Sequence, residues 1–171
     1  GVALKRWLRH HNLLTDDISL QLLVAAEVAT VSLMERRLDA AMREFCLVTL
    51  LRNIHGISCW LVDSAVPLEG VAFPFDAPAH ANVYPLLFPG PVHFGARHAA
   101  LSFDSRYLAL PLRRDDRALR ALLPQALSLV VRPYRRDRLL VQRVRMLLKE
   151  QPAAATAEAL AHALAMSPRT L

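Results

Sequence analysis

Ile18 to Met34 reads ISLQLLVAAEVATVSLM, an apolar run rich in Val, Leu and Ala. Alternation is clearest at Ile18, Leu20, Leu22 and Val24, and again at Val31 and Leu33 with small residues between. Successive side chains of a strand point to opposite faces, so this spacing predicts two strands turning near Ala25–Glu27. The turn carries neither Gly nor Asn, which leaves a continuous strand or a helix open. Upstream, Leu4, Trp7, Leu8 and His11 fall at helical spacing over residues 2–14, and Thr15-Asp16-Asp17 breaks that helix.

Downstream, residues 37–56 give the strongest helical pattern. Leu38, Ala41, Met42, Phe45, Cys46 and Thr49 form one stripe, with Glu35, Asp39 and Arg43 on the other side. Phe45 to Leu51 is apolar nearly all round, as expected of a helix in the centre of a domain. His55-Gly56 is the expected end, and Ile57–Val62 either extends the helix or begins a strand. Leu68–Phe73 reads as a strand, and Pro78-Ala79-His80 opens a short helix through Leu87, interrupted by Pro85. Pro89-Gly90-Pro91 is a turn, followed by Val92-His93-Phe94 and a strand at Ala100–Phe103. Asp104 is expected to cap a short turn, and Asp115-Asp116 a helix carrying Leu119, Leu122 and Leu123. Pro124 and Pro133 make the next stretch irregular, with Pro133 as the expected linker boundary.

The 171 residues leave room for one domain and part of a second. With 54% apolar and 21% charged residues and five glycines, the composition excludes disorder and collagen and permits a core. Gln21, Glu27 and Glu35 break the most hydrophobic stretch, so no membrane span is expected. No leader pattern is seen, which points to the cytoplasm. The start at Gly1 without Met suggests a fragment or a processed chain. Cys46 and Cys59 lie in apolar contexts and are expected to be free buried thiols.

Nearly all of the +6 net charge sits in residues 132–150, where seven basic residues face Asp137 and Glu150. A basic cluster beside a neutral body suits phosphate contact; it equally suits a solvated helix face or an acidic partner. Within it, residues 137–150 form an amphipathic helix. Leu140, Val141, Val144, Leu147 and Leu148 line one face, and Arg138, Gln142, Arg143, Arg145 and Lys149 the other. After a break at Pro152, Thr156-Ala157-Glu158 reads as a capped, acidic helix start. Leu160, Ala161 and Leu164 are its expected buried face. The helix stops at Ala165-Met166, and Ser167-Pro168 signals a new one. Two short helices across a tight turn fit a helix-turn-helix, and also fit an ordinary pair of capping helices.

The string AEALAHALAMSPRTL (157–171) resembles the first half of the helix-turn-helix of AraC/XylS-family transcription regulators. Residues 71–123, VAFPFDAPAHANVYPLLFPGPVHFGARHAALSFDSRYLALPLRRDDRALRALL, resemble the effector-binding domain of the family branch that includes ornithine-responsive regulators. The resemblance implies an α+β effector-binding domain, a few antiparallel strands packed on helices, followed by an all-α helix-turn-helix start. The expected parts are an effector-binding domain at 1–131, a linker at 132–136 and the beginning of the DNA-binding domain at 137–171. It further implies a cytoplasmic, ligand-responsive regulator that acts as a homodimer on DNA, with a small-molecule effector and no membrane. Family members have more chain before the position of Gly1 and a second helix-turn-helix after that of Leu171.

In that frame Arg143, Arg145 and Lys149 are candidate phosphate contacts, and Ser167, Arg169 and Thr170 stand at the start of the recognition helix. The aromatics Trp60, Phe73, Phe75 and Tyr84 are candidate effector contacts, each equally suited to a core. No nucleophile elbow, dinucleotide fingerprint or P-loop occurs, so no enzyme, cofactor or metal is expected. His10-His11 cannot easily face one metal, and His93, His98 and Asp104 suit surface positions. Cys46 and Cys59 with His55 offer a possible soft-metal or redox site, His55 and Cys59 sharing a face at i, i+4 if the helix runs on, although core thiols fit better. The alternative is a small-molecule-binding or oligomerisation domain with a helical tail and no nucleic-acid role.

Overall fold

The computed structural model describes residues 1–37, 39–126, 134, 136–150 and 156–169. Leu38 of the helical stripe, the boundary at Pro133, the break at Pro152, and Thr170 with Leu171 lie outside the described residues. The chain is α+β and divides into two compact units, Gly1–Arg136 and Asp137–Leu171.

In the first unit a five-stranded sheet runs in the order β1-β2-β5-β3-β4. Its strands are β1 (Ile18–Ala25), β2 (Val28–Glu35), β3 (Leu68–Ala72), β4 (Val92–His93) and β5 (Ala99–Asp104). All pairings are antiparallel except that of β3 with the short β4. The expected hairpin is present, with Ala25 paired to Val28 across a two-residue turn. Ala26 takes the left-handed conformation there at φ 50°. A Cβ in that region is crowded by the backbone, so Ala26→Gly is expected to stabilise the unit by roughly 0.5–1 kcal/mol. Urea unfolding checks this; an unchanged or lower midpoint contradicts it.

Strand β1 is a sheet edge whose backbone groups need partners. Helix α1 (Val2–Leu14) supplies two. The Asn12 amide donates to the Leu20 carbonyl at 2.8 Å and accepts from the Leu20 N–H at 2.7 Å, while Leu4 and Leu8 are buried.

Helix α2 (Arg43–Val62) differs from its expected span at both ends. At the front, Asp39 accepts from the N–H of Ala41 through its side chain and from that of Met42 through its carbonyl, forming a turn that delays the helix. At the back, Gly56 does not stop it. The helix ends where Asp63 turns left-handed and bonds back to Cys59 and Trp60. The buried face also differs from the expected stripe. Leu47, Leu51, Ile54 and Cys59 are buried, whereas Phe45 is 62% exposed and Met42 is exposed too. By length and composition alone α2 could cross a membrane, which corrects the expectation that no segment could; it packs against β5, half buried in the domain core.

Beyond β3, a 3₁₀ turn at Ala81–Val83 leads into helix α3 (Tyr84–Leu87), with Pro85 tolerated in its first turn. Gly90 (φ 151°) passes so close to β3 that a Cβ there would lie 2.7 Å from the Leu68 carbonyl oxygen. Asp104 caps the turn after β5, and Asp115 caps α4 (Asp116–Leu122), both as expected. Cys46 is half-buried and Cys59 buried, both as free thiols.

The second unit holds α5 (Arg138–Glu150) and α6 (Ala157–Ala163). Leu140, Val141, Val144 and Leu147 are half-buried, but Leu148, expected beside them, is exposed. Thr156 Oγ1 caps α6 by accepting from the Ala159 N–H at 3.1 Å. Ala161 and Leu164 are buried and Leu160 half-buried. Ala165 is left-handed (φ 52°), its N–H reaches the His162 carbonyl, and the Met166 N–H reaches that of Ala161. This paired closure stops the helix and turns the chain.

Candidate functional site

Arg52, His55 and Cys59 stand at i, i+3 and i+7 on α2, which puts them on one face. Each is almost fully buried, with 4%, 6% and 3% exposure. Together they line a cavity of about 190 Å³, opposed by Val66, Pro67, Pro89 and Tyr134. The segment after α2, the loop before β4 and the stretch just ahead of Asp137 thus converge on one helix face.

The polar atoms of this face are ordered by His55. Its Nδ1 lies 3.2 Å from an Arg52 guanidinium nitrogen and its Nε2 2.8 Å from the Val66 carbonyl oxygen. A guanidinium only donates and a carbonyl only accepts, so the imidazole carries its proton on Nε2 and accepts on Nδ1. Cys59 Sγ is 3.6 Å from the same Nε2. Burial, assisted by the Arg52 charge, pushes His55 down to about 4, although the Val66 contact opposes this. Burial pushes the Cys59 thiol up to about 11. Burial also draws Arg52 downward, but arginine remains a cation in proteins. At neutral pH the face therefore holds a cation, a neutral imidazole and an unreactive thiol.

Tyr134 connects this cavity to a second polar group. Arg114 donates to Asp63 at 2.6 Å and to the Tyr134 hydroxyl at 2.9 Å, and that hydroxyl donates to Asp63 at 3.1 Å. The Arg114 guanidinium also lies 5.6 Å from the centre of the Trp60 ring. Two residues on, the Arg136 carbonyl accepts from the Ala65 N–H. Tyr134 and Arg136, inside the stretch expected as a linker, are thus bonded to the first unit.

The other aromatic candidates meet elsewhere. Phe73 is fully buried and packs 5.2 Å from Phe75 and 5.1 Å from Tyr84, centre to centre, with Phe88 and Phe94 completing the group. The Tyr84 hydroxyl donates to Glu44 at 2.7 Å, on the carboxylate oxygen that His80 also meets at 2.6 Å. That Tyr84 bond leads the influences holding Glu44 below its ordinary value. Tyr84 and Glu44 also border a shallow groove of about 330 Å³.

On the second unit Arg143, Arg145 and Lys149 are exposed along α5, and Ser167 and Arg169 are exposed after the Ala165 turn. Among the described residues no three His, Cys, Asp or Glu side chains gather as a metal would require.

Sequence reasoning paired His55 with Cys59 but missed Arg52, Val66, Pro89 and Tyr134. The available signal was the spacing of Arg52, His55 and Cys59, which puts them on one face of a largely apolar helix. Such residues are buried only where they have partners or a ligand.

The first unit is thus a mixed α+β domain with a polar-floored cavity. The family model for the arabinose-binding domain of AraC transcription regulators, N-terminal, matches residues 1–112, and the chain belongs to that family. No curated protein matches the chain. Among solved structures, the transcriptional regulator CdpR from Pseudomonas aeruginosa is similar, with a TM-score of 0.48 and 16% identity. The match covers 90% of this chain and 51% of that one, so the chain spans about half the length of that regulator.

Proposed function

We propose that this chain is the sensing part, with the start of the DNA-binding part, of a ligand-responsive transcription regulator. The observation that carries the reading is the cavity floored by Arg52, His55 and Cys59, inside a domain whose family is named for binding a small molecule. The effector occupies that cavity. Trp60 serves it indirectly through Arg114 and Tyr134, and Phe73, Phe75 and Tyr84 build the rigid core beside it. The protein acts in the cytoplasm as a homodimer and catalyses nothing.

The second unit supplies the nucleic-acid side of the proposal. The capped helix α6, its buried Ala161 and Leu164, and the turn at Ala165 support a first helix-turn-helix helix followed by a recognition helix that starts near Ser167, Arg169 and Thr170. Arg143, Arg145 and Lys149 meet phosphates. A ligand alters DNA affinity only if it binds two conformations unequally. Tyr134 is the residue placed to report occupancy, because it lines the cavity just ahead of Asp137.

The test is the double variant Arg143→Glu/Arg145→Glu in the whole regulator. Losing two phosphate contacts is expected to weaken binding to every DNA sequence and to flatten the log–log salt slope by about 2. A fluorescence-anisotropy titration at several salt concentrations measures both quantities, and an unchanged slope removes the phosphate role. A second reading, an oligomerisation domain with no nucleic-acid role, draws on the exposed Leu23 and Val24 of edge strand β1. Absence of any DNA binding by the whole protein would favour it.

A further inference from the structure

We propose that the open half of edge strand β1 pairs antiparallel with β1 of a second copy of this chain, about a two-fold axis at Leu23. This specifies the homodimer of the reading above and rests on it. The Asn12 amide shows which backbone groups face outward, since it takes both the N–H and the carbonyl of Leu20. Residues of an antiparallel strand alternate between facing their ladder partner and facing away, so Leu22 and Val24 turn the same way as Leu20. No described residue bonds to the outward groups of Leu22 or Val24. The side chains there are uncovered too: Leu23 is 66% exposed, Val24 and Ala25 are exposed, and so are Leu13 and Leu14 beside Asn12.

Edge strands that stay single are blunted by charges, prolines or bulges. Residues 18–26 carry no charge and no proline, and β1 runs along β2 without a break in register. Charge therefore does not oppose a second copy, and geometry sets how the copy fits. With Leu22 against the second copy's Val24, Val24 against its Leu22 and Leu23 against its Leu23, every open backbone group is paired. Sliding one strand by two residues sets an open residue against Leu20, whose groups Asn12 holds, or against Ala26, where the chain turns left-handed. The same patch serves both copies, so the assembly closes at two.

The experiment measures dimer dissociation of the chain by sedimentation velocity for the wild type, Leu23→Lys and Val24→Pro. Leu23→Lys sets two like charges against each other at the axis, and Val24→Pro removes an outward donor that the ladder with β2 does not use. Each is expected to weaken the dimer by roughly tenfold or more, with the circular dichroism of the wild type retained. Because a proline beside the turn can disturb the hairpin, Leu23→Cys tests the register independently, in a Cys46→Ser background. Residues opposed in this way lie roughly 4.5 Å apart between Cα atoms, within the span of a disulfide. Leu23→Cys is expected to crosslink two copies on oxidation. Gln21→Cys, which faces the second copy's Ala25, is expected not to. A dimer that Leu23→Lys leaves unchanged overturns this interface and keeps the homodimer, as does crosslinking through Gln21→Cys in place of Leu23→Cys. Open-ended assemblies overturn the two-fold axis. Crosslinking through Leu23→Cys in this chain but not in the whole regulator overturns the proposal, because another segment then covers the edge. A monomeric chain overturns it as well, and a monomeric whole regulator overturns the homodimer with it.

Discussion

Phe73→Ala is expected to destabilise the first unit by roughly 3–5 kcal/mol, a large share of what holds a domain of this size together. Phe73 follows β3 directly, its N–H donates to the His93 carbonyl at 2.9 Å, and its ring is fully buried. Four aromatic rings surround it at centre distances of 5.1–6.1 Å. Truncation removes the contacts of all four at once and leaves a void among close-packed rings. Phe75 provides the comparison, because it is only half-buried, so Phe75→Ala should cost clearly less. Urea unfolding of the three proteins measures the difference, with an unchanged m-value marking a loss of stability alone. If Phe73→Ala unfolds at the wild-type midpoint, the ring is not the centre of this core.

The contrast between Phe73 and Phe45 shows which parts of this fold were legible in the sequence. The hairpin could be read because its signal is local: alternation at Ile18, Leu20, Leu22 and Val24 follows from the geometry of a strand. Caps could be read for the same reason, since Asp115 and Thr156 bond to N–H groups three residues on. The buried face of α2 could not. In a helix apolar nearly all round, periodicity carries little information about which side faces the core, and packing against β5 chose Leu47, Leu51 and Ile54 over Met42 and Phe45. Strand β4 was equally hidden, because two residues have no pattern and its parallel pairing with β3 is non-local. The candidate site combines both cases. His55 and Cys59 follow from helical spacing, but the opposing Val66, Pro89 and Tyr134 come from three distant segments that only the fold assembles. Arg52 was overlooked because an arginine in a sequence reads as surface, and only its burial shows that it is not.

Lowering the pH is expected to destabilise the first unit through His55, by up to about 3 kcal/mol between pH 6.5 and 4. The sign follows from the two titrations. In an unfolded chain the imidazole protonates near 6.5, whereas burial beside the Arg52 charge holds the folded value at about 4. Above 6.5 both states are neutral and the contribution is present in full. Below it the unfolded state gains a proton that the folded state refuses, and stability falls until the folded imidazole also protonates. The groups facing His55 reinforce this: Arg52 already occupies Nδ1 as a donor, and Cys59 remains a thiol throughout the range. A protonated ring would set a second positive charge against the guanidinium with nowhere for its Nδ1 proton to go. His55→Gln separates this effect from general acid denaturation, since an amide cannot gain the proton but can still accept from Arg52 and donate to Val66. Urea unfolding of both proteins at intervals from pH 7 to 4 is expected to give a steep decline for the wild-type chain and a shallower one for the variant. Carboxylates that titrate near the bottom of the range are common to both proteins and cancel in the difference. Equal declines would show that the buried site accommodates the imidazolium, and the tautomer assigned here, with Nδ1 accepting, would have to be given up.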